Sequence, residues 1–297
     1  MRITQAMMTN GFMRSLNSIL GDMDKSEYQL TSGKKNRLPQ DDPVGSVQTM
    51  TYRSAVLQTN KYLDNATEAG TWLDNTDTAL NEVTSVIHRV RTLMEEANTD
   101  TATAESRQAI AEEVDQLVDH VSQIANTTVG GRYIFGGTNT GNPPAVVGGT
   151  GFYTWNGNDG EIAVEIDAKA TVAINSIGKR IFADSSTGAN DGLLNFLKSV
   201  SNTLKTGAQA NNLGQLDKLA DKVLEQQASV GARENRIEFT NNRLQNFKLT
   251  MTNTLAQVED ADMAQVITDF KTQESVYRSA LSTGARVLQP SLVDFLR

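Results

Sequence analysis

The chain has 297 residues, a formal net charge of -8, a pI near 4.9, 38% hydrophobic and 6% aromatic residues, and no cysteine. The acidic balance excludes the basic footprint that nucleic acid or an anionic membrane surface requires, and the lack of cysteine excludes disulfides, thiolate metal sites and a thiol nucleophile. No apolar stretch approaches the roughly 18 residues that span a bilayer, and the low apolar content suits thin helical layers with narrow seams.

The first residues, MRITQAMMTNGFMRSL, contain no continuous apolar core and do not read as a cleaved secretory signal. From Thr4 to Ser32 the spacing predicts a helix. Met13, Leu16, Leu20, Met23 and Leu30 step by threes and fours along one face, and Gly33 is a natural stop. A basic loop with Pro39 follows. Asp42 can cap a second helix and Pro43 can take its first turn. That helix is expected to run to Asn98, with Leu73, Thr76, Leu80, Val83, Ile87, Val90, Met94 and Ala97 as its stripe. After a turn over Thr99 to Ala104, a third helix carries Ile110, Val114, Leu117, Val121 and Ile124. The short connection favours an antiparallel hairpin.

Beyond Gly130 and Gly131 the chain becomes rich in Gly, Thr, Asn and alternating β-formers. Ile162, Val164 and Ile166 lie on one face of a strand, and Val172 and Ile174 suggest another. Asn156-Gly157 and Asp159-Gly160 mark a turn between Tyr153–Trp155 and Glu161–Ile166. This reads as a small inserted β domain, facing outward and dispensable for the helical core. Helix returns near Asp191 to Thr206. A very long segment follows from Leu213 to Val258, where Leu216, Val223, Val230, Ile237, Leu244, Met251 and Val258 recur every seven residues. Its alternate seam positions, Gln227, Glu234, Asn241 and Lys248, are polar. The last helix carries Met263, Ile267, Phe270, Tyr277, Leu281 and Leu288, and stops before Pro290.

The fold class expected is mainly α: a long helical bundle or coiled coil formed by the N- and C-terminal segments, with a small inserted β domain. The expected divisions are an N-terminal assembly helix and loop (1–41), the first half of a helical rod (42–131), the β domain (132–184), the second half of the rod (185–258) and a C-terminal assembly helix (259–297). The assembly seam is assigned to Met13, Leu16, Leu20, Met23, Leu30, Met263, Ile267, Phe270, Tyr277, Leu281 and Leu288.

Catalytic patterns are missing. The two histidines, His88 and His120, sit alone on helices, and no HExxH, P-loop or GxSxG occurs. The acidic pairs Asp41-Asp42, Glu95-Glu96, Glu112-Glu113 and Glu259-Asp260 flank or decorate helices, where acids solvate a face or favour the dipole. A β segment of this size has little room to bury a catalytic pocket. The expectation is therefore no catalytic residues, no metal, no cofactor and no enzymatic activity. The competing classes are a structural assembly protein, a signalling helical bundle and a secreted carbohydrate hydrolase.

Four stretches carry a resemblance. Leu30-Thr31-Ser32-Gly33-Lys34-Lys35-Asn36-Arg37 is followed by Asp41-Asp42-Pro43-Val44-Gly45. Gly131-Arg132-Tyr133-Ile134-Phe135-Gly136-Gly137-Thr138 leaves the helical part, and Val258-Glu259-Asp260-Ala261-Asp262-Met263-Ala264 enters the last helix. In this order they resemble the flagellin family, and the Pro-Val after the aspartates is more similar to its hook-associated junction branch than to filament flagellin. Leu288-Gln289-Pro290-Ser291-Leu292 departs from the Gln-Ala-Asn-rich tail of filament flagellin. The resemblance implies a structural protein of the extracellular bacterial flagellum, exported by the flagellar type III route. It implies pairing of the terminal helices with each other and with neighbouring copies in a ring. The implied partners are another hook-associated protein on the hook side, flagellin on the filament side and a cytosolic export chaperone, with no nucleic acid and no membrane. Filament flagellin remains the alternative within the family.

Overall fold

The structure, a computed structural model, describes residues 5–100, 102–149, 151–183 and 192–287. Helices α1 (Gln5–Ser32), α2 (Pro43–Ala97) and α3 (Ala104–Ala125) precede six short strands: β1 (Thr128–Val129), β2 (Arg132–Tyr133), β3 (Ala145–Val147), β4 (Tyr153–Trp155), β5 (Ala163–Asp167) and β6 (Ala170–Ala173). Helices α4 (Lys179–Phe182), α5 (Leu193–Lys205), α6 (Leu213–Glu259) and α7 (Met263–Val287) complete the described chain. The architecture is mainly α, as the periodicity predicts. Two compact units form: Met1–Gln58 with Phe247–Arg297, and Thr59–Asn246.

Local chemistry sets the helix ends. α1 stops at Gly33, which adopts φ +70°, a conformation costly for a residue with a Cβ. α2 begins where Asp42 Oδ1 accepts the Gly45 amide at 2.9 Å. A Cβ on Gly45 would fall 2.3 Å from Asp42 Oδ2, so the Asp42 carboxylate packs closely over the bare Gly45 backbone. At α3 the Thr103 hydroxyl accepts the Ser106 amide.

In the unit Thr59–Asn246, the whole predicted stripe of α2 from Leu73 to Ala97 is buried. So are Leu216, Val223, Val230, Ile237 and Leu244 of α6. The pairs Asn81–Gln227 and Arg91–Asp217 run in opposite senses along the two helices, which are therefore antiparallel. Arg107 Nε bonds Ala97 O and Arg89 pairs with Glu113, so α2 and α3 form the expected antiparallel hairpin. α3 packs closely on α5. There Asp115 receives Lys198, Lys205 and Ser201, a charge and hydroxyl cluster at the edge of an otherwise apolar contact.

The strands form three separate antiparallel ribbons, β1-β2, β3-β4 and β5-β6. The expected pairing of Tyr153–Trp155 with Glu161–Ile166 does not form. Tyr153–Trp155 pairs instead with Ala145–Val147, and β5 pairs with β6. The physical reason lies in Asn158. Its amide bonds Gly136 O, and its side chain accepts from Thr138 N and donates to Thr138 Oγ1. The Asn-Gly and Asp-Gly residues are thus tied back to the Gly136–Thr138 loop instead of turning a hairpin.

Nor is the β segment a detachable lobe. Ile134, Phe135, Ile166, Val172 and Ile174 share one buried cluster with the α2 and α6 stripes. Arg233 of α6 donates to Ala173 O and Asn175 O, and Arg243 pairs with Asp167 at 2.6 Å. The Trp155 ring stacks on Phe182 at 5.6 Å, and Phe135 meets the same ring edge-on. The expectation of a dispensable module is corrected accordingly: its inward face completes the helical core. The expected boundary between residues 184 and 185 lies outside the described residues.

Candidate assembly interface

The unit made of Met1–Gln58 and Phe247–Arg297 pairs α1 with α7. Ser26, buried, donates to Gln273 Oε1 at 3.0 Å. A Cβ on Gly284 would fall 2.3 Å from Phe12 Cζ, so the two helices meet closely there and run antiparallel. On α1 the shielded positions are Phe12, Leu16, Ile19, Met23, Ser26 and Leu30; on α7 they are Val266, Phe270, Gln273, Tyr277, Ala280 and Gly284. Both sets step by four and three, the spacing of a two-helix seam.

The predicted seam divides on this geometry. Leu16, Met23, Leu30, Phe270 and Tyr277 are half-buried on the shielded faces. Met13, Leu20, Ile267 and Leu281 stand one position aside and are exposed, and Met263, three residues before Val266 at the start of α7, is exposed as well. Leu288 lies outside the described residues. Sequence reasoning missed Phe12, Ile19 and Ser26, and Val266, Gln273 and Gly284. The signal was the same stepping started one residue earlier on α1, masked because Ser26, Gln273 and Gly284 do not count as apolar. The pair therefore has two apolar sides: one turned inward, one open.

The turns at the inner ends of these helices are locked together. Lys34 and Asp260 form an antiparallel bridge, with Lys35 N donating to Glu259 O at 2.7 Å and Ala261 N to Gly33 O at 2.9 Å. Glu259 accepts Lys34 and, at 2.5 Å, Arg53. Burial raises the Glu259 carboxyl, but the hydrogen bonds and charges of Lys34 and Arg53 outweigh it and hold the group below its ordinary range. Asp41 accepts the amides of Arg37 and Leu38 and closes the basic loop, while Asp42 caps α2. The Gly-Lys-Lys and Val-Glu-Asp-Ala-Asp stretches, far apart in sequence, thus meet as backbone partners. Among the described residues no group of three or more His, Asp or Glu could hold a metal ion, and no helix is long and apolar enough to cross a membrane.

These two stretches lie in regions that match known proteins. The bacterial flagellin N-terminal helical region matches residues 3–140 and the bacterial flagellin C-terminal helical region matches residues 213–296. The chain belongs to the flagellin family. It is 24% identical over 310 residues to flagellar hook-associated protein 3 of Salmonella typhimurium, covering 95% of this chain and 96% of that one. Flagellin FlaB1 of Treponema pallidum is 24% identical over 290 residues, with 96% of each covered. Among solved structures, flagellar hook-associated protein 3 of Legionella pneumophila superposes with a TM-score of 0.63 at 15% identity, covering 70% of this chain and 98% of that one. That likeness carries the fold. For this flagellin-family chain, both locked turns lie inside the matched terminal regions, so the family's two helical ends are joined here through main-chain hydrogen bonds.

Proposed function

We propose that this flagellin-family chain is a structural protein of the bacterial flagellum that joins the hook to the filament, without enzymatic activity. The carrying observation is the open apolar row on the paired terminal helices: Met13 and Leu20 on α1, and Met263, Ile267 and Leu281 on α7. An exposed row beside an already filled seam is suited to a neighbouring copy, as in a ring, because exposed apolar area of this kind marks interaction surfaces. The long match to hook-associated protein 3 is compatible with this reading, and the likeness of Pro43-Val44, after the paired aspartates, to the junction branch favours it over the filament. In this reading the chain leaves the cell by the flagellar type III route with a cytosolic chaperone. It then contacts itself, a second hook-associated protein and flagellin. Filament flagellin is the second reading, favoured by the equally long match to the Treponema protein.

Antibody labelling of sheared flagella in the electron microscope separates the two. One label at the hook end is expected; label along the whole filament would establish the second reading. The row itself is tested with Leu281→Asp. Leu281 is 43% exposed, so the free protein should melt unchanged and still be secreted. A carboxylate buried at the contact between copies costs several kcal/mol, so incorporation and filament growth should be lost. Normal filaments on the variant would remove Leu281 from the assembly contact.

A further inference from the structure

Two unusual surface features occur in the unit Thr59–Asn246. The first is Phe239 on α6, whose side chain is 73% exposed, more than any other large apolar residue described. It lies on the side of α6 away from the buried line Val230, Ile237 and Leu244. Arg236, one turn before it, is exposed and has no ion partner among the described residues. The second feature is a groove of about 460 Å³ between α2 and α3. Val86 and Leu117 supply apolar surface in it, with Thr78, Ser85 and His120 around them. Glu82 also lines the groove, is exposed and has no cationic partner among the described residues. Arg89 in the same groove is already engaged by Glu113.

We infer that Phe239 of one copy docks into the α2–α3 groove of a second copy, with Arg236 of the first opposite Glu82 of the second. The occupant follows from complementarity. An aromatic knob flanked by an unpaired cation matches an apolar-floored slot flanked by an unpaired anion, and buried aromatic and arginine anchors dominate interface energetics. An aromatic left this exposed on a helix gains from burial against the shallow, partly apolar depression of another copy. Because knob and slot are different surfaces of the same chain, the contact is head-to-tail. Repetition then gives a ring or an open helix of copies, and not a closed dimer. The inference rests on the reading of this chain as a ring-forming flagellar protein and names a contact within that ring.

The absence of cysteine makes the test direct. Asn235→Cys, one turn from Phe239, is combined with Ser85→Cys in the groove, and sheared flagella are treated with a short bismaleimide. The double variant should give a ladder of dimers, trimers and longer products. Each single variant should give none, and adding Phe239→Ala should reduce the ladder at least several-fold. Incorporation without a ladder, or a ladder indifferent to Phe239→Ala, overturns the contact while leaving the ring intact. A dimer from either single variant overturns the head-to-tail arrangement. Absence of the native protein from flagella overturns the underlying reading instead. Should the double variant fail to incorporate, the charges provide an independent arm. Arg236→Glu should lower the amount retained on sheared flagella, and adding Glu82→Arg should restore it; no restoration overturns the pairing.

Discussion

Two glutamates on α6 illustrate opposite uses of a carboxylate. Glu234 occupies a half-buried seam position, and its Oε1 has no hydrogen-bond partner among the described residues. Burial first, and then the charges of Asp77 and Asp74, raise its affinity for a proton. A folded-state value above the unfolded one means that stability falls as pH rises from the unfolded value through the folded one. Glu234→Gln should therefore stabilise the protein at pH 7 by about 1 kcal/mol, or about 2–4 °C in melting temperature. The gain should shrink towards zero on acidification, when Glu234 itself is neutral. Calorimetry at both pH values checks it, and a pH-independent difference would show that the charge is not the cause. Glu259 behaves conversely. Its depressed value means that its contribution is complete above the unfolded value near 4.5 and is lost as pH falls through the lower folded value. Protection of the Lys35 and Ala261 amides against hydrogen exchange should fall in that acid range and become insensitive to pH in Glu259→Gln.

At the scale of elements, the α1–α7 pair carries a polar layer in an apolar seam. Ser26→Leu alone strands the Gln273 amide and should cost about 1–3 kcal/mol, whereas Ser26→Leu with Gln273→Leu should be near neutral or stabilising. Circular dichroism melting of the two single variants and the double variant gives the coupling energy directly. Additive effects would mean that the two side chains are independent. The β segment makes the same point through burial. Replacing residues 139–176 by a Gly-Ser linker removes Ile166, Val172 and Ile174 from the shared core, at roughly 1.5–3 kcal/mol for each buried side chain. The helices of that unit should then melt at a clearly lower temperature. Unchanged melting would restore the view of the segment as a passenger.

For the whole molecule the contrast lies between the units. Nearly every buried apolar residue described belongs to Thr59–Asn246; in the other unit Val266 stands alone. A unit held by one helical seam and one turn lock has little apolar burial to set against chain entropy. Limited proteolysis of the free protein should therefore remove residues before about 41 and after about 258 first, leaving a fragment that retains most of the helical signal. Equal resistance of both ends would mean that the terminal pair has a second stabilising surface in the free protein.

Period alone made the helices readable. The stripes of α2 and α6 are long and regular, and each residue that the spacing turns inward from Leu73 to Ala97 is buried. The family signatures at Leu30–Arg37 and Val258–Ala264 were equally legible, because they depend on local turn chemistry such as a positive φ at Gly33. The rest required three dimensions. Whether Met13 or Phe12 faces α7 is a rotation of about 100° between neighbouring residues. It depends on where Gly284 and Gln273 open space on the other helix, which lies more than half the chain away. The pairing of Tyr153–Trp155 with Ala145–Val147 depends on Asn158 being held by the Gly136–Thr138 loop, a contact that no local propensity encodes. The seam and the slot for Phe239 are likewise properties of two helices brought together. One-dimensional pattern determines what each element is, and only packing decides which of its faces is used.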